Sequence, residues 1–474
     1  MRKLALLFCL LITAAIPAKA AEAWFEKLKA EASPEQLYRF LYALPKGGDL
    51  HNHLSGAGLS EWWWDAALAQ ASRGYVYYTK VRIANCLPYG SNEYSFAPYL
   101  ILFRTIQGST YQALDDCQKG EYKRLQDLTA TEKQGWFDSI RLDARHEGRN
   151  EFFGRHWERL NDLFRNPHVI AQILFRNMQA FGREGLVYLE TQEGADGALK
   201  PDGSLYSEDE TVAIYRALLE SAKARATGVT VRFQSSILRF LPGAEQDLRD
   251  LYAFTARHRD LWVGVNMVGR EDDDKGHPLR FLKTLRELRL KYPDIHLSIH
   301  AGEVDEPNHH VRDTLLLGAE RIGHGVNLIT DPETMVRMQH GPYMVEINLI
   351  SNLLLEYVDD YRQHPFPEYL RTGIPVALST DDRGMWDSNL TDEYFVAVRE
   401  FNLSWEEIVQ LGRNSLAHAF VEAPVKQALL ADYDARVARF AAAFRKSGWS
   451  GLNSVKPVSY SFTCKRYQLC LPRE

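Results

Sequence analysis

Cysteine is scarce in this chain: five among 474 residues, with no two in a CxxC pair. That spacing argues against a zinc site built on thiolates. Long apolar runs are scarcer. One, from Leu4 to Ile16, follows the basic start Met1-Arg2-Lys3 and precedes Ala18-Lys19-Ala20, the small-x-small pattern of a cleavable signal peptide over residues 1–20. It falls short of the roughly 20 apolar residues of a permanent anchor, and no later run reaches that length, so no membrane association is expected after cleavage. Basic runs are missing too. With a formal net charge of −6, a nucleic-acid partner is excluded. Internal repeats and low-complexity segments are absent.

What remains is ordinary globular composition, 45% hydrophobic and 25% charged, enough for a sizeable core. Export to the periplasm or beyond places Cys86, Cys117, Cys464 and Cys470 in an oxidising compartment, where an even number suggests disulfides. Proximity favours Cys86–Cys117 and Cys464–Cys470. A homodimer stays open.

From Pro45 onward short apolar strands alternate with amphipathic stretches, the pattern of βα units around a parallel sheet. Eight strands are expected: Lys46–His53, Val187–Thr191, Thr230–Ser236, Trp262–Val268, His296–Ala301, Arg321–Val326, Tyr343–Leu349 and Pro375–Asp381. Eight units make a closed (β/α)₈ TIM barrel (45–445) the economical α/β reading, with a doubly wound open sheet as the alternative. Residues 21–44 read as helices packed before it, and 446–474 as an irregular, disulfide-tied tail. The gap between the first two strands is too long for a single crossover. We read an inserted subdomain there, at about 60–150, tied by Cys86 and Cys117. Its Trp62-Trp63-Trp64 cluster favours buried packing over a base-stacking surface, and Phe152, Phe153 and Trp157 favour a packed helix face over a pocket lining.

His51 and His53 end the first strand and share a face, because side chains alternate along a strand. Alone the pair is weak evidence for a metal. Three more strand ends carry matching groups: His300-Ala301-Gly302-Glu303, Arg321-Ile322-Gly323-His324-Gly325 and Ser379-Thr380-Asp381-Asp382. Catalytic groups of such barrels gather at the C-terminal strand ends. Imidazoles with a carboxylate suit Zn²⁺ and leave a position for water.

Together with Pro45–His53, Val268-Gly269, Glu346, Ser351-Asn352 and Arg413-Asn414-Ser415, these motifs resemble the adenosine deaminases, from about Pro45 to Phe420. The signal peptide and the cysteine-bearing insertion are similar to the secreted, growth-factor-related branch. The resemblance implies one Zn²⁺ per chain, held by His51, His53, His300 and Asp381, and a purine nucleoside as the small-molecule partner. It makes Glu303 the proton donor to purine N1, and His324 the group that orients and deprotonates the attacking water. Asp382 becomes the partner of N7, and the backbone of Gly269 lies near N3. The implied reaction is hydrolytic deamination of adenosine, and of 2'-deoxyadenosine, to inosine and ammonia.

Three departures stand out. Leu54-Ser55-Gly56 offers Ser55 where the family has an Asp for the ribose. Gln192 stands in strand two where an Arg often follows the Glu. Arg383-Gly384 replaces a Pro after Asp382. Two other readings are a related barrel hydrolase acting on another 6-aminopurine, cyclic amidine or amide, and a secreted binding or signalling module with secondary catalysis. Intact Glu303 and Asp382 favour the purine deaminase.

Overall fold

The computed structural model describes residues 18–84, 86, 100–144, 147–271, 275–304 and 306–473. The expected signal peptide lies outside the described residues up to position 17, and from Ala18 the chain is helical.

Eleven strands are present among the described residues: β1 (Gly47–Asp49), β2 (Tyr77–Lys80), β3 (Thr105–Gln107), β4 (Tyr122–Arg124), β5 (Leu186–Gln192), β6 (Thr230–Leu238), β7 (Trp262–Val268), β8 (His296–Ala301), β9 (Arg321–His324), β10 (Met344–Ile347) and β11 (Val376–Leu378). Eight of them form one parallel sheet, in the order β1-β5-β6-β7-β8-β9-β10-β11. The two ends meet at the C-terminal rim, where Asp381 N donates to His51 O (2.9 Å) and His53 N donates to Asp381 O (3.3 Å). The sheet is therefore a barrel, with all eight expected strands in place. β5 and β7 are buried at every position, as strands covered by helices outside and side chains inside must be.

The helices explain themselves locally. Pro167–Arg183 starts with Pro at its first turn, and the Asn166 side chain caps His168 N and Val169 N. Leu390–Phe401, after the last strand, begins with an Asn389/Asp392 capping box. Arg413-Asn414-Ser415 is a fastener at the base of the barrel. Ser415 Oγ accepts from Gly48 N (2.7 Å) and Asn414 Nδ2 donates to Val376 O (2.9 Å).

The connection from β1 to β5 carries the antiparallel sheet β3-β2-β4, and Cys86 is bonded to Cys117 there. Trp62, Trp63 and Trp64 are all buried, against Phe164 and Trp136 among others, as the packing reading expects. The C-terminal tail differs from the irregular end expected. Besides the Cys464–Cys470 bond it contains a helix, Ser461–Tyr467, and it is anchored: the Asp387 carboxylate accepts from Ser461 N (3.0 Å) and pairs with Arg473. No helix among the described residues is long and apolar enough to cross a membrane.

Candidate active site

Inside the barrel the strands turn polar, and this decides how the rim is held. Arg321 lies at 2.7 Å from both Glu190 and Glu346, with its guanidinium 3.7 Å over the Phe420 ring. Two chains of hydrogen bonds climb from these carboxylates. Glu346 Oε2 takes the Nδ1 proton of His51 (2.7 Å). Glu190 Oε2 accepts from Gln234 Nε2 (2.9 Å), Gln234 Oε1 accepts from Asn266 Nδ2 (3.0 Å), and Asn266 Oδ1 faces His300 Nδ1 (3.0 Å). Both chains end on a carboxylate, which can only accept, so His51 and His300 each turn a bare Nε2 toward the barrel mouth. Such outer partners orient imidazoles for a metal.

The bare nitrogens converge. His53 Nε2 stands 3.2 Å from His300 Nε2 and 3.2 Å from Asp381 Oδ1, with His51 Nε2 3.5 Å from the same oxygen. Two overlapping groups have metal-holding geometry: His51, His300, His324 and Asp381, and His53, Asp381 and Asp382. His51 Nε2 and His324 Nε2 are buried without a hydrogen-bond partner. Electronegative groups this close repel unless a proton or a cation joins them. Burial alone would lower the pKa of His51, yet hydrogen bonds to Asp381 and Glu346 raise it to about 10, so positive charge is favoured where these groups meet. Burial would raise Asp381, but His51 and His53 hold it well below the usual carboxylate range. The residues fit a divalent metal.

Backbone strain marks the same place. His324 (φ 64°) and Asp381 (φ 53°) both occupy the left-handed region, a conformation found at constrained functional positions. Gly269 (φ 99°) does too, and a β-carbon there would stand 2.7 Å from the Phe240 ring.

Glu303 lies 3.6 Å from His324 Nε2 and is almost wholly buried. Burial first, then the charges of Asp381 and Glu271, push its carboxyl well above the ordinary value. Asp382 is raised likewise, by burial and then by Asp381, and its Oδ1 is buried with no partner. Both shifts favour the protonated carboxyl, the form able to donate. The structure thus brings together His51, His53, His300, His324, Glu303, Asp381 and Asp382. Ser55 sits half-buried in the short helix Leu54–Ala57 that follows His53.

Several supporting residues escape a sequence reading. Glu271 accepts from Gly302 N and Glu303 N (3.1 Å each) and pairs with His310 (2.8 Å) and Arg239 (3.4 Å), clamping the loop that carries Glu303. Asn266 carried one available signal, a lone amide in the otherwise apolar strand β7; Gln234, in the mixed strand β6, carried none. Phe152 packs on Trp386 (4.9 Å), a packed face as expected, whereas the Trp157 ring borders the site, 6.1 Å from His53. The Arg383 departure is structural: its guanidinium covers the Phe181 ring (4.6 Å) and lies 3.4 Å from Glu184. Gly384 is required because a β-carbon would meet Gly58 O at 2.1 Å.

Comparison with known proteins agrees with this picture. Residues 122–436 match the family model described as adenosine deaminase. An adenosine deaminase of Aedes albopictus is 25% identical over 412 residues, 82% of this chain and 72% of that protein. One from Escherichia coli (strain SMS-3-5 / SECEC) is 31% identical over 262 residues, 54% of this chain and 75% of that protein. Among solved structures, an adenine deaminase from Arthrobacter aurescens superposes with a TM-score of 0.60 at 17% identity, covering 84% of this chain and all of that one. The N6-mAMP deaminase of Arabidopsis does so at 0.59 and 21%, covering 83% and 99%. At those identities the two structures share the fold.

Proposed function

The chain belongs to the adenosine deaminase family of hydrolytic deaminases, and from that premise we propose that it converts adenosine and 2'-deoxyadenosine to inosine products and ammonia, with one zinc ion per chain. The observation that carries this reading is the meeting of His51, His53, His300 and Asp381 at the rim beside two carboxyls raised well above the ordinary range, Glu303 and Asp382.

When bound, zinc lowers the pKa of a coordinated water from about 15.7 to near 7, which supplies a nucleophile at neutral pH. The chain's own groups do the rest. Adding water at C6 pushes an electron pair onto N1, and the Glu303 carboxyl gives its proton there. The Asp382 carboxyl donates to N7, holding the ring in register. The backbone of Gly269 lies along the N3 edge, and His324 orients the attacking water. Of the two protons the attacking water releases, one restores the Glu303 carboxyl and the other reaches the amino group, so that the C6–N bond breaks, ammonia leaves and the ring carbonyl forms.

A second substrate reading has its own support. Ser55 offers a neutral hydroxyl where the family has a carboxylate, a weaker partner for a sugar by about 1 kcal/mol or more. A different 6-aminopurine would account for that. The test is a panel of adenosine, deoxyadenosine, adenine, AMP and N6-methylated forms, compared by kcat/KM. Adenosine with a high KM and modest preference for ribose supports the first reading; turnover of another 6-aminopurine alone replaces it. The 1–20 pattern and the two disulfides support work in the periplasm or outside the cell.

A further inference from the structure

His324 is held by a third hydrogen-bond chain, and this one begins on a donor. Phe366 N, in the first turn of the helix Phe366–Thr372, points at His364 Nδ1 (3.1 Å). A backbone N–H can only donate, so His364 Nδ1 is bare and its single proton is on Nε2. Burial agrees, pushing the His364 pKa down to about 3, so the ring is neutral. His364 Nε2 faces Asn352 Oδ1 (3.0 Å), and that fixes the Asn352 amide with its nitrogen outward. Asn352 Nδ2 in turn lies 2.9 Å from His324 Nδ1. An amide nitrogen donates only, so His324 Nδ1 must accept. Asn348 gives its amide nitrogen to the carbonyls of Ile347 and Ser379 and so turns its oxygen toward His324 Nδ1 at 3.3 Å, an acceptor that competes with Asn352; the shorter 2.9 Å bond from Asn352, whose orientation His364 fixes, decides.

We propose that His364, acting through Asn352, fixes the neutral tautomer of His324 with its proton on Nε2, so that His324 is a hydrogen-bond donor into the site, neither a metal ligand nor a proton acceptor there. His364 and Asn352 are positioning residues; neither reaches the reacting atoms. The polarity is the reverse of that at His51 and His300, whose chains end on Glu346 and Glu190 and leave Nε2 bare. Three buried imidazoles of one cluster are thereby sorted by what lies behind them: carboxylates make ligands, a backbone N–H makes a donor. The sorting also chooses between the two overlapping metal-holding groups, since an Nε2–H cannot ligate, and assigns the third nitrogen to His53. It revises the proton-accepting role that resemblance gives His324. An N–H aimed at the attacking oxygen orients it and stabilises negative charge on it.

The proposal rests on the deaminase reading for its consequence, yet its test does not need turnover. Zinc-loaded protein with ¹⁵N-labelled histidine is examined by long-range ¹H–¹⁵N correlation, with His324 and His364 assigned by loss of signals in His324→Gln and His364→Asn. The expected result is an Nε2–H, bare-Nδ1 pattern for both rings. In Asn352→Asp the carboxylate cannot donate, so His324 should acquire a proton on Nδ1 while zinc content stays at one per chain. Its kcat should fall about 100-fold or more, in line with removing one such donor. His364→Gln restores an N–H toward Asn352 and should keep the wild-type His324 pattern, whereas His364→Leu should not. A His324 with Nδ1 protonated in the unaltered protein, or an Asn352→Asp variant with unchanged pattern and kcat, overturns the proposal. Correct tautomers without adenosine turnover would instead remove the substrate reading and leave this one standing.

Discussion

Gly56 and Asp382 interlock. A β-carbon on Gly56 would stand 1.6 Å from Asp382 Oδ1, so the turn after β1 closes directly on the carboxyl proposed to meet N7. The departures from the family pattern after His53 and after Asp382 are thus two sides of one contact, with Gly384 against Gly58 as its second point. Gly56→Ala should leave the fold and metal content intact and displace Asp382. Losing that hydrogen bond to the substrate should lower kcat/KM about tenfold or more. Equal kcat/KM in a folded, metal-loaded variant would detach Asp382 from the reaction.

Glu303→Gln should retain metal and melting temperature but lose about 10²–10⁴ in kcat, because an amide carries no acidic proton for N1. The proposed reaction needs Glu303 protonated, and its carboxyl is raised by burial and by Asp381 and Glu271. Activity should therefore persist well above the pH at which an ordinary glutamate ionises, and fall as pH rises through the raised value. A pH–rate profile that declines in the ordinary carboxylate range would show that another group protonates the ring.

Stability should carry a pH signature from Asp392, buried under the Tyr38 hydroxyl (2.7 Å). Burial raises its pKa from 3.8 to about 7. Between those values the folded chain holds a proton that the unfolded chain has released, so this group's contribution is full below pH 3.8 and is lost as pH rises to about 7. Asp392→Asn should flatten the dependence of unfolding free energy on pH across that window, measured by urea titrations at several pH values. An unchanged slope would show that Asp392 does not titrate there.

Cys86 and Cys117 close a loop of 31 residues. Removing that bond by a double Ser substitution should cost about 2–4 kcal/mol, and denaturing, non-reducing thiol titration of the mature protein should find no reactive cysteine. Free thiols would contradict both pairings.

Strands β1 (Gly-Gly-Asp) and β9 (Arg-Ile-Gly-His) were legible through the motifs they carry to the rim, and most other barrel strands as apolar runs bounded by turn residues. Trp62, Trp63 and Trp64 were legible as core for the same reason, sheer apolar area. The residues behind the rim were not. Gln234, Asn266 and Glu190 take up their roles only when barrel closure turns them inward, and Glu271 meets Gly302, 31 positions away, only because two loops come together. His364, 40 residues from His324, reaches it only through Asn352. Hydrogen-bond direction is a tertiary property: the carboxylate or N–H that sets it belongs to another element. The tail helix Ser461–Tyr467 was missed because its stability comes from Asp387 and Arg473 rather than from its own seven residues.

The central claim is a zinc-dependent deaminase, and its most direct test is the ultraviolet change as adenosine becomes inosine, followed with purified protein before chelation, after removal of metal, and after return of one equivalent of Zn²⁺. The account predicts turnover, its loss, and its recovery, with the recovery absent in His300→Ala and Asp381→Ala, which should also fail to retain zinc. Undiminished deamination by the metal-free protein, or full zinc occupancy in His300→Ala, would contradict it.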